Sequence, residues 1–126
     1  MNLRQQITNI MSKQTINLED YRVVDRESHL KSRVFAGRPR GLAVREASKI
    51  DDLADNNDEV IINVPDDIRA LNPSFIEEFL FNVVKKYGPT GYKEKVKFES
   101  EHGFKFESKL QEGINRIMRR MSGLDN

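Results

Sequence analysis

The segment Val60-Ile61-Ile62-Asn63-Val64 stands between Asp58 and Pro65-Asp66-Asp67, and a short turn later the chain reads Asn72-Pro73-Ser74-Phe75-Ile76-Glu77-Glu78-Phe79. An apolar run that short, with turn residues on both sides, reads as a buried strand. Beyond it, Asn72-Pro73 is a helix-start signal. Phe75, Ile76, Phe79, Leu80, Val83, Val84 and Tyr87 then recur at the spacing of one helical stripe over 73–87, until Gly88-Pro89 ends it. A strand that delivers a polar turn and a serine to the start of a broad apolar helix is half of an α/β layer.

The flanking segments extend the pattern. Leu42, Ala43, Ala47, Ile50, Leu53 and Ala54 fall on one helical face, with Arg45, Ser48, Lys49 and Asp52 on the other. Val96 and Phe98 alternate with Lys95, Lys97 and Glu99 as in an edge strand. Phe104-Lys105-Phe106 either returns as a hairpin or leads into a last helix, about 107–121, whose stripe is Leu110, Ile114, Ile117, Met118 and Met121. Nearer the start, Leu3, Ile7, Ile10 and Met11 predict a short helix over 2–13, and residues 15–24 alternate as a strand. Asp25 to Arg33 reads as a polar loop. Strands alternating with helices predict an α/β fold: a small open mixed sheet of about four strands with helices packed against it. Residues 1–30 are expected to form an N-terminal extension, and 31–126 the α/β domain.

Composition narrows the function classes. The net charge is +1 across 126 residues, so no strong overall field draws in nucleic acid. There is no cysteine, and hence neither a disulfide framework nor thiolate chemistry. No apolar run reaches membrane-span length, and Met1 to Lys13 lacks the apolar core of a signal peptide; the expectation is a cytoplasmic protein. His29 and His102 are the only histidines, and neither sits at a metal-ligand spacing. No nucleophile, base and acid assemble from motifs, so the chain reads as a non-enzyme with no metal or cofactor.

Four groups of residues invite a role. Asn72 and Ser74 at the helix start are caps, with Ser74 and Glu77 as an alternative capping box, or Ser74 is a phosphoacceptor or contact centre. Gly37, Arg38, Arg40, Gly41 and Arg45 form either a tight turn with solvated arginines or an anion-binding loop. Phe81, off the apolar stripe between Glu77 and Lys85, is an interface residue or packs beneath the N-terminal segment. Leu3, Ile7 and Ile10 make a helix too short to be stable alone, which must cover its own domain or dock on a second copy as a homodimer. Lys109, Arg116, Arg119 and Arg120 give the last helix a basic outer face, the second element of an anion- or nucleic-acid-binding alternative.

Taken together, Gly37-Arg38-x-x-Gly41-x-x-x-Arg45, Ile50-Asp51, the strand Val60 to Val64 and Pro73-Ser74-Phe75-Ile76-Glu77-Glu78 resemble the bacterial STAS-like family of unknown function over about residues 34–100. That family is similar to sulphate-transporter and anti-sigma-factor-antagonist domains. The resemblance implies a regulatory or protein-interaction module of bacterial or phage origin, partnered with a histidine-kinase-like ATPase. In the antagonist branch the turn reads Asp-Ser-Ser-Gly, whose second serine is matched here by Ser74.

Overall fold

The structure, a computed structural model, describes residues 11–123. It is a mixed α/β fold with five short strands in two sheets among the described residues. Strand β1 (Lys13–Asn17) leads through a 3-10 turn (Leu18–Tyr21) to β2 (Val34–Phe35). Helices α1 (Arg38–Ser48) and α2 (Ile50–Asn56) follow, then β3 (Glu59–Asn63) and β4 (Ala70–Leu71). Helices α3 (Pro73–Phe79), α4 (Phe81–Tyr87) and the single turn α5 (Tyr92–Lys95) precede β5 (Val96–Glu99), and α6 (Glu107–Ser122) ends the described chain.

β3 is the centre of a three-stranded parallel sheet in the order β1-β3-β5. β2 and β4 pair in parallel as a separate two-stranded sheet. A single sheet of about four strands is therefore replaced by two smaller ones, because β2 and β4 are each only two residues long. Ile16, Val60, Ile62 and Val96 point to one side of the larger sheet and are buried in one core with Phe75, Phe79, Leu80 and Ile117.

Several sequence expectations are corrected. The helix predicted over 2–13 lies outside the described residues up to Ile10, while Lys13 opens β1 rather than closing a helix. The strand predicted over 15–24 ends at Asn17, whose side-chain oxygen accepts the Glu19 N–H and turns the chain. Ile16 and Leu18 are buried and β1 pairs with β3 in five registered positions, so this segment contributes to the core. The first long helix starts earlier than its apolar residues suggest and breaks at Lys49, which adopts a left-handed conformation (φ 58°). Its inward face is Gly41, Val44 and Ser48 with Arg45 half-buried, whereas Leu42, Ala43 and Ala47 are exposed. The faces differ from those the spacing predicts because Arg45 turns inward to meet the buried Glu78 carboxylate.

The helix expected over 73–87 exists with its stripe buried, but is kinked at Leu80 (φ −101°, ψ 4°). The hydrogen-bond ladder continues through the kink, from the Leu80 N–H to the Ile76 carbonyl and from the Val84 N–H to the Leu80 carbonyl. Phe104-Lys105-Phe106 is the run into α6 and not a hairpin.

Candidate functional site

The pairing of β2 with β4 sets their following turns side by side. The Asn72 N–H donates to the Phe35 carbonyl at 2.9 Å, and a helix begins one residue after Asn72 and three residues after Phe35. Ser74, the second residue of α3, uses its Oγ to accept the Gly37 N–H at 3.0 Å. Two separate sequence candidates, the serine turn and the glycine–arginine loop, thus meet at the carboxyl ends of two parallel strands, where open α/β sheets commonly place their sites.

Asn72 is the N-cap of α3 in extended backbone (φ −76°, ψ 150°), with Pro73 in its first turn, as the sequence predicts, but the side-chain capping bonds are not made. Ser74 is occupied with Gly37, and Glu77 does not reach back to the helix start. Gly37 sits at φ 89°, a conformation that favours glycine, and so the chain can turn sharply enough to aim its N–H across at Ser74.

Glu77 and Glu78 lie in the seam where α3 is flanked by α1 and α6, and both are buried. Four arginines surround them. Arg120 places Nη1 at 2.6 Å from Glu78 Oε1 and 3.0 Å from Glu77 Oε2. Arg38 Nη2 lies 3.3 Å from Glu78 Oε1, and its Nε lies 3.7 Å from Glu77 Oε2. Arg45 donates to the Glu78 backbone carbonyl at 2.7 Å and lies 3.5 Å from Glu78 Oε2. Arg116 completes the set at 3.8 Å from Glu77 Oε1. Burial opposes the Arg120 charge, but the hydrogen bonds and charges of Glu78 and then Glu77 outweigh it and raise its pKa.

Such a cluster follows from solvation. Two buried carboxylates without partners would cost several kcal/mol each, so α3 tolerates them only because its neighbours supply guanidinium groups with matching fork geometry. Arginine serves here better than lysine, since Arg38, Arg45 and Arg120 each reach two acceptors at once. The outer-face reading of the last helix is corrected accordingly: Arg116 and Arg120 turn toward α3, while Lys109 remains half-exposed beside Glu112. Phe81 is also placed. Its ring is half-buried, with the Arg120 guanidinium carbon 4.2 Å from its centroid, so it is neither isolated nor ringed by loose charge.

The arginine loop divides. Arg38 and Arg45 join the carboxylate cluster, but Arg40 turns away and donates Nη2 to the Tyr21 carbonyl. Gly41 lies buried against α3; a Cβ there would stand 2.4 Å from the Phe75 carbonyl oxygen and 2.9 Å from the Glu78 Cβ. It is a close-approach glycine and not part of a phosphate cradle. Leu3, Ile7 and Ile10 lie outside the described residues.

A feature the sequence spacing did not show is the meeting of Asp66, Glu101 and His102, whose ligating atoms lie within 4.8 Å of one another at the ends of the β3 and β5 loops. All three are exposed, and His102 Nε2 is 3.5 Å from Asp66 Oδ2. Sequence separation hid this group, since Asp66 comes from a different strand connection.

Comparison with known protein families, with curated proteins and with solved structures finds no match for this chain.

Proposed function

We propose that the protein is a non-enzymatic regulatory module that binds a protein partner through the face formed by the starts of α1 and α3 and the end of α6. The observation that carries this reading is the excess of positive charge: four guanidinium groups answer two carboxylates, and Arg38 and Arg116 remain 57% and 41% exposed. Arginine and aromatic side chains are enriched at recognition surfaces, and Phe81 adds an aromatic edge. Such a face suits an acidic partner surface. Its location at the Ser74 turn coincides with the turn used by the STAS-like and antagonist domains that the sequence resembles, and a histidine-kinase-like ATPase is the partner that resemblance supplies.

The test is titration calorimetry of the intact chain against an ATPase of that class encoded beside its gene. Binding that falls at least about tenfold in Arg38→Glu, while Lys109→Glu at the far end of α6 binds as the parent does, supports the reading. No binding, or equal affinities in both variants, removes it. Self-association is the competing use of the same face, and light scattering on the intact chain distinguishes a homodimer from a monomer awaiting its partner.

A second reading has an observation of its own. The loop arginines Arg38 and Arg45 and the helix arginines Arg116 and Arg120 converge on one place, as an anion-binding protein would require. Inorganic phosphate should then shift the amide resonances of residues 37–45 and 116–120 before any others, and the shifts should fade with added salt. Unmoved amides at millimolar phosphate would leave the protein-partner reading alone.

A further inference from the structure

Away from the arginine face, β5 and the first turns of α6 enclose a cleft of about 540 Å³. Tyr92, Phe98, Phe104 and Leu110 line it together with polar side chains, among them Lys93, Glu107 and Gln111. Phe98 and Phe104 lie nearly parallel, with ring centroids 5.2 Å apart and an interplanar angle of 28°. The volume falls within the range of small-molecule sites, which are mostly apolar with a few placed polar groups.

Tyr92 supplies such a group. It is 2% exposed, it lines the cleft, and its hydroxyl has no hydrogen-bond partner among the described residues. The Tyr87 hydroxyl, by contrast, donates to Asp55 at 2.7 Å. Burial raises the Tyr92 pKa, so the group remains a neutral phenol at pH 7, able both to donate and to accept. The ring is buried but the hydroxyl oxygen is not sealed from water, so a polar atom of a bound molecule can take the place of the water it meets.

We propose that this cleft binds a small, flat aromatic molecule that carries no net charge and presents one hydrogen-bonding group to the Tyr92 hydroxyl. The aromatic walls favour a planar ring by offset stacking and edge contacts. Lys93 and Glu107 bring opposite charges to the rim, which gives a polyanion such as a nucleotide no advantage there. The cleft is lined by the first turns of α6 and shares no residue with the arginine cluster, since Arg116 and Arg120 lie roughly 8–20 Å farther along the helix at 1.5 Å per residue. The two sites therefore do not overlap, and the proposal stands whether or not the arginine face binds a protein.

Indole, flat and neutral with one N–H donor, is the probe. Titrated into the intact, isotopically labelled chain, it should produce saturable shifts confined to the amides of residues 92–98 and 104–111. Tyr92→Phe, with its melting temperature checked, should weaken binding about fivefold, the loss of one hydrogen bond. Ser108→Trp, an exposed rim position that a large ring would block, should abolish the shifts. Shifts that are linear in concentration or spread over the molecule overturn the site. Saturable shifts that Tyr92→Phe leaves unchanged overturn the role of the hydroxyl, and with it the proposal.

Discussion

Gly41 shows how one missing Cβ sets a helix–helix distance. In an exposed helix interior a glycine-to-alanine change stabilises by roughly 1 kcal/mol. At Gly41 the added carbon would meet the Phe75 carbonyl at 2.4 Å and Phe79 backbone nitrogen at 3.1 Å, both backbone atoms that cannot rotate aside. Gly41→Ala should therefore destabilise, by about 1–3 kcal/mol, despite its better helix propensity. A denaturant titration showing a raised midpoint would refute the close contact between α1 and α3. The two phenylalanines of the kinked helix pair make a second contrast. Phe79 is fully buried and stacks on Phe75 at 5.3 Å, whereas Phe81 is only partly covered, by Arg120. Phe79→Ala should cost about 3–5 kcal/mol and Phe81→Ala clearly less; equal losses would mean that the buried face has been misplaced.

Elements are joined here as much by charge as by oil. Replacing Glu78 with alanine would leave Arg45, Arg38 and Arg120 facing one another with a single carboxylate, and should cost about 3–5 kcal/mol. Glu78→Ala combined with Arg45→Ala should cost less than the sum of the separate changes; strict additivity in the double-mutant cycle would show that the pair does not interact. The Arg22 tie between the 22–33 loop and the β3–β4 connection is a pH-dependent one. Arg22 donates to both carboxylate oxygens of Asp67, at 3.0 and 2.8 Å, and this bond holds the Asp67 pKa below its ordinary value. A depressed carboxylate contributes stability that is present above its unfolded pKa, about 4, and is lost as the pH falls through the folded one. Thermal melts at pH 7 and pH 3 should accordingly differ less in Asp67→Asn than in the parent, and an unchanged difference would dismiss the tie.

At this scale the sequence was legible where periodicity governs. The stripe of Phe75, Ile76, Phe79, Leu80, Val83 and Val84 is buried as its spacing predicts, and β3 lies where its apolar run lies. It was illegible where charge is buried. Arg45 reads as solvent-facing because most charged residues are, and Glu77 as a capping partner; only the flanking of α3 by two arginine-bearing helices shows that Glu77 and Glu78 are buried. Arginine, and not lysine, at 38, 45, 116 and 120 was the available signal, and it becomes readable once two acidic neighbours on a buried helix need partners.

Among the described residues, the larger sheet has one dry side. Lys13, Thr15 and Asn17 of β1, Glu59, Ile61 and Asn63 of β3, and Lys97 and Glu99 of β5 share the opposite side, where Lys13 and Lys97 flank the buried Glu59 at 3.6 and 3.2 Å. Parallel sheets are usually covered on both faces, so this polar side relies on its cross-strand charges and on continuous strand pairing. β1 is then no dispensable edge. It contributes buried Ile16, fixes Leu18 in the core, and satisfies one edge of β3 along five residues. A chain beginning at Leu18 would bare that edge and lose the Ile16 burial, together worth at least about 3 kcal/mol from apolar area and ladder hydrogen bonds. Against the usual margin of 5–15 kcal/mol, that loss should lower the melting temperature by at least about 10 °C or abolish the cooperative transition. Thermal circular dichroism of the two chains measures it, and coincident melting curves would make the segment before Leu18 an appendage after all.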